Sequence, residues 1–465
     1  MRILMVVYDN GDFTPWFPQG LAYIAAVLEK EGYYVEIYNQ DLHHYPDEHL
    51  TSYLNKNHFD FVCVSLIAGY YQYRKLKKIS AAINASTDRP KYLIGGHGPA
   101  PCPDYFFEVS QADAIIIGEG EITIIELVEA IANDRDLSLI EGISFRDIGG
   151  NTIQTKRREQ IEDLDTIPFP AYHLFPIELY RMLRLPRMSP TDFAMPVLSG
   201  RGCTFKCNFC YRLDKGFRGR SNEAIIEEML FLKKEYGISY IAFSDELLMV
   251  NKPRTIALCE DIIKAGVNIK WNCNGRLNFA VPEVLNLMKK AGCVYINYGI
   301  ESMDNDVLKR MKKGLRVDMV EKGIKTTLDV GISPGFNLIY GHIGDTLETL
   351  EKSVKFLLEN DDGADMRTLR PVTPYPGSPL YYDAIKMGKL KDCRDFYENK
   401  HVNSDLLAVN FTKLSDDQFH EALFDANRRL VNNYFENQKI NYLEQMEELY
   451  IGMDTEFRGF RHSRK

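Results

Sequence analysis

Ser199-Gly-Arg-Gly-Cys203-Thr-Phe-Lys-Cys207-Asn-Phe-Cys210-Tyr211 is the run on which the reading of this chain turns. Three cysteines stand in a CxxxCxxC spacing directly behind the apolar residues 195–198, which read as a strand. Three thiolates on one tight loop hold three irons of a four-iron, four-sulfur (4Fe-4S) cubane and leave the fourth iron without a protein ligand. An open position on a reducing cluster is where a small molecule is bound and reduced. Structural zinc is the competing reading, but it normally takes a second ligand pair, and no second CxxC-type pair exists in the sequence. The other cysteines, Cys63, Cys102, Cys259, Cys273, Cys293 and Cys393, are scattered singly in apolar surroundings, as reduced core cysteines are. The odd total of nine does not fit a secreted disulfide framework.

Outward from this run, residues 191–380 alternate strand-like and helix-like segments in roughly six units, the spacing of a partial (β/α)6 barrel with its chemistry at the carboxyl ends of the strands. Ser221 is placed to cap a helix that stops at Gly237. Residues 240–243 read as a strand, followed by Asp245 and Glu246. Two acids just past a strand end can accept hydrogen bonds from an ammonium group, and a solvated turn looks the same. Arg276 follows another strand, 270–275, and is suited either to a bidentate carboxylate contact or to a plain salt bridge. Residues 293–298 run into Gly299-Ile-Glu301-Ser302. There glycine permits close approach, while Glu301 and Ser302 offer acceptors and a hydroxyl. Tyr298 and Tyr375 are read as packing, and Asp345 is given no specific role.

The N-terminal segment, 1–135, alternates apolar runs with helical patterns, as a doubly wound parallel α/β sheet does. Its strand candidates are residues 3–7, 34–38, 61–65, 92–94 and 114–117. Glycines follow two of them, in Gly95-Gly96-His97-Gly98 and Gly118-Glu119-Gly120-Glu121, at the edge where open α/β sheets take ligands. Tight turns would look similar. Residues 136–190 read as a bridge, with a β-hairpin around 143–155 and an extended Pro168-Phe-Pro170 stretch. Residues 381–465 read as a helical extension with a capping box at Ser415 and Gln418. With 465 residues the chain is too long for one ordinary core. Its first apolar run is too short for a signal peptide or a membrane span, so a cytoplasmic location is expected. A net charge of −9 speaks against a nucleic-acid partner, and basic residues 458–465 are read as a solvated tail.

The cysteine run closely resembles the signature of radical S-adenosylmethionine (SAM) enzymes, and Gly299-Ile-Glu301-Ser302 resembles their SAM-contacting strand end. Ser65, Gly95-Gly96 and Ile117-Gly118-Glu119-Gly120-Glu121, behind Pro18-Gln-Gly20-Leu21, look like the cobalamin-binding domain found upstream of many radical SAM domains. The resemblance spans about residues 1–435. It implies that Cys203, Cys207 and Cys210 carry a 4Fe-4S cluster. It implies further that Asp245, Glu246, Arg276, Gly299, Glu301, Ser302 and Phe209 contact SAM. Ser65, Gly95, Gly96, Gly118, Glu119 and Gly120 would line a corrin site. One departure is clear. The loop after the first strand, residues 8–16, lacks the histidine that a DxHxxG loop gives to cobalt elsewhere, so base-off cobalamin is expected. Asp41-Leu-His43 imitates half that motif, and His43, His44 and His49 are read as solvated loop residues.

The activity implied is reductive cleavage of SAM to a 5′-deoxyadenosyl radical, which takes a hydrogen atom from an unactivated carbon. Methyl transfer from methylcobalamin would follow, with a second SAM restoring the methyl group. Alternatives are oxidative ring closure, as in the cyclases of chlorophyll biosynthesis, a rearrangement, or radical chemistry beside an empty cobalamin domain. Outside the enzyme class, a non-catalytic iron-sulfur or zinc protein is the rival. The expected partners are a small-molecule substrate and an electron donor such as flavodoxin or ferredoxin.

Overall fold

A computed structural model describes residues 1–11, 14–212 and 216–457; the basic stretch 458–465 lies outside the described residues. The chain forms two compact units. One gathers residues 1–183, 193–246 and 373–409, and the other residues 184–192, 247–372 and 410–465. These cut across the segments expected from sequence.

The first unit is built on β1 (Arg2–Val7), β2 (Tyr34–Asn39), β3 (Phe61–Ser65), β4 (Lys91–Gly95), β5 (Ala114–Ile116), β6 (Ile143–Arg146) and β7 (Thr152–Gln154). The sheet order is β2-β1-β3-β4-β5-β6-β7, parallel through β5. The continuous apolar runs of β1 and β3 are buried, as strands covered on both faces must be. Helix Gln19–Lys30 buries Leu21, Ala22, Ala25 and Leu28 at the expected helical spacing. The hairpin of the expected bridge is no separate element: β6 joins β5 antiparallel and extends the first sheet. Strand propensity marked the hairpin, but nothing local specifies which edge it joins.

The same unit contains the parallel pair β8 (Ala194–Val197) and β11 (Tyr240–Phe243), and the antiparallel hairpin of β9 (Gly200–Cys203) and β10 (Gly216–Gly219). Helix Asn222–Tyr236 is capped by Ser221 and stopped by Gly237 in the left-handed conformation, as read from sequence.

The second unit has a parallel sheet ordered β12 (Lys270–Gly275), β13 (Cys293–Glu301), β14 (Ser333–Tyr340) and β15 (Arg370–Pro371). Helices Pro282–Lys290, Val317–Val330 and Leu347–Asn360 alternate with the strands. The capping box at Ser415 and Gln418 opens one long helix, Asp416–Tyr450, which buries Phe419, Leu423, Ala426 and Leu430.

Two readings from sequence need correction. His49 is not a loop residue: it lies in helix Asp47–Lys56, stacked on Tyr45 at 4.0 Å, with Nδ1 2.9 Å from the Tyr38 hydroxyl. His43 ends a short helix, Gln40–His43, and is exposed. Asp41 is buried and accepts from the Asn10 N–H at 2.7 Å, so it braces the loop after β1. Tyr298 is fully buried with its hydroxyl 3.0 Å from that of Thr327, a packing role as read.

Candidate functional site

β9 carries Cys203 at its end and passes into residues 204–210, which form neither helix nor strand. Cys203 is half-buried, Cys207 buried and Cys210 exposed. Phe209 is half-buried, and its neighbour Asn208 accepts from the Leu380 N–H at 2.9 Å. Among the described residues no three His, Cys, Asp or Glu side chains converge to metal-ligating spacing. The donor set itself fits an iron-sulfur cluster: Cys203 at the end of β9, with Cys207 and Cys210 on the irregular loop that follows it.

The hairpin behind these thiols is held by an acid from the other end of the unit. β9 and β10 pair Cys203 with Gly216 and Arg201 with Arg218. Like charges directly opposite on a strand pair repel. Glu119 cancels that repulsion. Its Oε1 accepts from Arg201 Nη1 at 2.8 Å and Arg218 Nη2 at 3.0 Å. Its Oε2 accepts from Arg218 Nη1 at 2.8 Å and the Ile161 N–H at 2.7 Å. Arg201 also pairs with Glu121. Burial works to raise the Glu119 pKa, but the hydrogen bonds from Arg218, Arg201 and Ile161 outweigh it and hold the carboxyl below its ordinary value.

At the carboxyl edge of the first sheet lies a cavity of about 340 Å³. Ser65, Gly95 and Gly96 line it, together with Gly118, Glu119 and Gly120. The strand leading to Cys203 supplies Arg201 and Gly202, and the turn after β11 supplies Ser244 and Glu246. The glycines differ in what they do. Gly96 has φ +97°, and a Cβ there would collide with the Leu66 carbonyl oxygen. Gly118, at φ +99°, would point a Cβ into open space. Bare backbone under an empty volume, with apolar walls from residues such as Leu21, Ile94 and Ile116, is a cradle that fits a broad, largely apolar ring. His97 also lines the cavity and was not singled out from sequence; its place after Gly96 was the available signal.

The two acids after β11 separate. Asp245 is buried and accepts from the Ser199 N–H at 3.0 Å and the Ser199 hydroxyl at 2.7 Å, so it braces β8 against β11. Glu246 is exposed and lines the cavity.

The remaining candidates lie in the second unit. The pairing of β13 with β14 shifts between Gly299 and Glu301, and Glu301 sits at φ +73°, rare for a residue with a side chain. Its carboxylate meets Lys313 Nζ at 2.7 Å. Gly299 makes room for that pair: a Cβ there would fall 2.6 Å from Glu301 Oε1 and 2.7 Å from Lys313 Nζ. Ser302 is buried, and its hydroxyl accepts from the Asp304 N–H at 3.2 Å. Arg276 is buried, donates to Asn278 Oδ1 at 2.9 Å and lies beside Gly314. Lys313 escaped the sequence reading because it stands in the ordinary-looking turn Lys312-Lys-Gly314.

The geometry agrees with what known proteins resemble. Residues 197–357 match the model of the radical SAM superfamily, and residues 13–128 match that of the B12 binding domain. An uncharacterized methyltransferase of Pyrococcus horikoshii is 31% identical over 79% of this chain and 78% of its own. The anaerobic magnesium-protoporphyrin IX monomethyl ester cyclase of Rubrivivax gelatinosus is 27% identical over 82% of this chain and 70% of its own. The radical SAM methyltransferase TsrM of Kitasatospora setae, solved with cobalamin and a [4Fe-4S] cluster, superposes with a TM-score of 0.68. That match is 20% identical and covers 83% of this chain and 78% of TsrM.

Proposed function

Because this chain belongs to the cobalamin-binding radical SAM enzymes, we propose that it is a methyltransferase acting on an unactivated carbon of a small molecule. The observation that carries the reading is a cavity lined both by the glycine loops Gly95–Gly96 and Gly118–Gly120 and by Arg201 and Gly202, which lead into Cys203. When bound, the cluster supplies the electron that splits SAM, and cobalamin supplies a transferable methyl group.

Every other task falls to side chains and backbone. Cys203, Cys207 and Cys210 bind the iron as thiolates. Gly118 lets backbone approach the corrin face where a side chain would stand in the way, and Gly96 lets its loop pack against the Leu66 backbone at the cavity edge. Asp245 fixes the end of β8, from which the cysteine hairpin departs. Glu246 offers a carboxylate at the cavity rim for the SAM ammonium. Glu301 and Ser302 supply an acceptor and a hydroxyl for SAM, and Arg276 a cation for a carboxylate. Apolar cavity walls exclude water from radical chemistry. An open cluster requires a reducing, oxygen-poor setting, which supports a cytoplasmic enzyme fed by a donor of the flavodoxin or ferredoxin class. Among the described residues no helix is long and apolar enough to cross a membrane.

The test is anaerobic reconstitution with iron, sulfide and hydroxocobalamin. About four irons and one cobalt per chain are expected, the cobalt with a base-off spectrum. The reduced protein with SAM should release 5′-deoxyadenosine and S-adenosylhomocysteine. Ring closure, the reaction class of the cyclase relative, would give 5′-deoxyadenosine without S-adenosylhomocysteine. Iron without cobalt would leave hydrogen abstraction without methylation. Cys207→Ala should abolish SAM cleavage and keep cobalamin uptake; persisting cleavage would remove the cluster assignment.

A further inference from the structure

Gly118, whose missing side chain leaves open space in the cavity, is bonded directly to Glu119, which also lines the cavity and whose carboxylate is fully engaged by its own chain. Its four hydrogen bonds saturate the lone-pair capacity of a carboxylate. Three of them end on the two arginines that face each other across the β9–β10 ladder. Arg201 is two residues from Cys203, so the two share one face of β9. The side chains of Glu119, Arg201 and Arg218 are 7%, 16% and 14% exposed, so water cannot replace a lost partner cheaply. Arg201 lines the cavity; Arg218 and the rest of β10 do not.

We propose that Glu119 is a positioning residue that couples occupancy of the cavity to the setting of the cysteine hairpin. A ligand resting on Gly118 and Gly120 fixes the backbone that carries Glu119. The carboxylate then fixes Arg201 and Arg218 together, and with them the β9–β10 ladder that presents Cys203. The two cofactor sites are therefore linked through one carboxylate, and loading one site restrains the other. This rests on cobalamin being the ligand of the cavity.

Hydrogen exchange of the full-length, iron-loaded protein, with and without hydroxocobalamin, tests it, with bound cobalt measured in each sample. In the unmodified protein, amides of residues 216–219, which lie outside the cavity, should exchange about five- to tenfold more slowly once cobalamin is bound, the lower end of ordinary site-to-site coupling. In Glu119→Gln the cobalamin-dependent difference should vanish even where cobalt still binds. A merely structural role would speed exchange equally with and without cobalamin and leave the difference intact. Arg218→Lys keeps the charge but loses the two-pronged contact, and it should reduce the difference too, which covers the case that Glu119→Gln does not fold. Bound cobalt with no slowing in the unmodified protein overturns the coupling alone. No bound cobalt overturns the cobalamin reading, and the coupling with it.

Discussion

Two glutamates follow a strand-end glycine in this molecule, and they are held in opposite ways. Glu119, after Gly118, has an ordinary negative φ, two arginine partners and a backbone N–H. Glu301, two residues after Gly299, sits at φ +73° on a β-bulge, with Lys313 on one carboxylate oxygen. Side-chain chemistry is the same; the surroundings assign the task. A carboxylate whose acceptor capacity is used up by its own chain is a strut. One kept in a costly conformation, worth about 1–3 kcal/mol of strain, with a single cation partner, is poised to receive another group. Asp245 and Glu246 repeat the contrast side by side, one braced by Ser199 and the other facing the cavity.

The contrast is broken most forcefully at Glu119. Replacing it with alanine leaves Arg201 and Arg218 opposed and buried, and should cost about 3–5 kcal/mol in urea unfolding. A loss below 1 kcal/mol would mean that the clamp carries no weight.

A further acid, Asp345, in the turn between β14 and helix Leu347–Asn360, extends the comparison to pH. It accepts from the Gly341 and His342 N–H groups and the Thr349 hydroxyl, yet burial pushes its pKa up to about 6. The native state therefore holds this proton more tightly than the unfolded chain. Its stabilising contribution is full below pH ~4 and is lost as pH rises through about 6, by up to ~3 kcal/mol. Asp345→Asn should flatten that part of the stability profile; an unchanged slope would place the proton elsewhere.

Glu301→Gln keeps an acceptor for the buried Lys313 but removes its countercharge, so its effect is read on the ligand after stability has been matched. SAM binding to the cluster-loaded protein is expected to weaken about tenfold to thirtyfold, the worth of a charge-assisted hydrogen bond, as read by calorimetry. Unaltered SAM affinity would make the Glu301–Lys313 pair a strut like that of Glu119. The smallest effect on stability is expected at Gly118→Ala, roughly 1 kcal/mol for the backbone conformation. Its Cβ would enter the cradle, so cobalamin uptake should fall while iron content holds. Unimpaired uptake would separate the cavity from the corrin.

What was legible in the sequence was whatever chemistry keeps local. The strands of the first sheet follow their apolar runs to within a residue or two, because burial on both faces writes itself into consecutive residues. The helix capped by Ser221 and closed by Gly237 was equally plain. What escaped depends on partners far along the chain. Arg201 and Arg218 lie 82 and 99 residues from Glu119, and no period or motif announces such a pairing. Asp245 and Glu246 are neighbours of like chemistry, and only the position of Ser199 separates a buried brace from a cavity acid. The pairing of β6 with β5 was hidden for the same reason.

The opposed arginines of the cysteine hairpin also have a meaning for synthesis. A chain emerging from the ribosome begins with its N-terminus, so Glu119 is out before either arginine has been made. Left to itself, the hairpin would be a two-stranded ribbon with its positive charges face to face, short of independent stability. It gains its ladder by docking onto a sheet that is already present. The hairpin that presents the iron-binding thiols is thus set after the sheet that carries Glu119, and a nascent chain acquires that scaffold before the thiols have anything to hold.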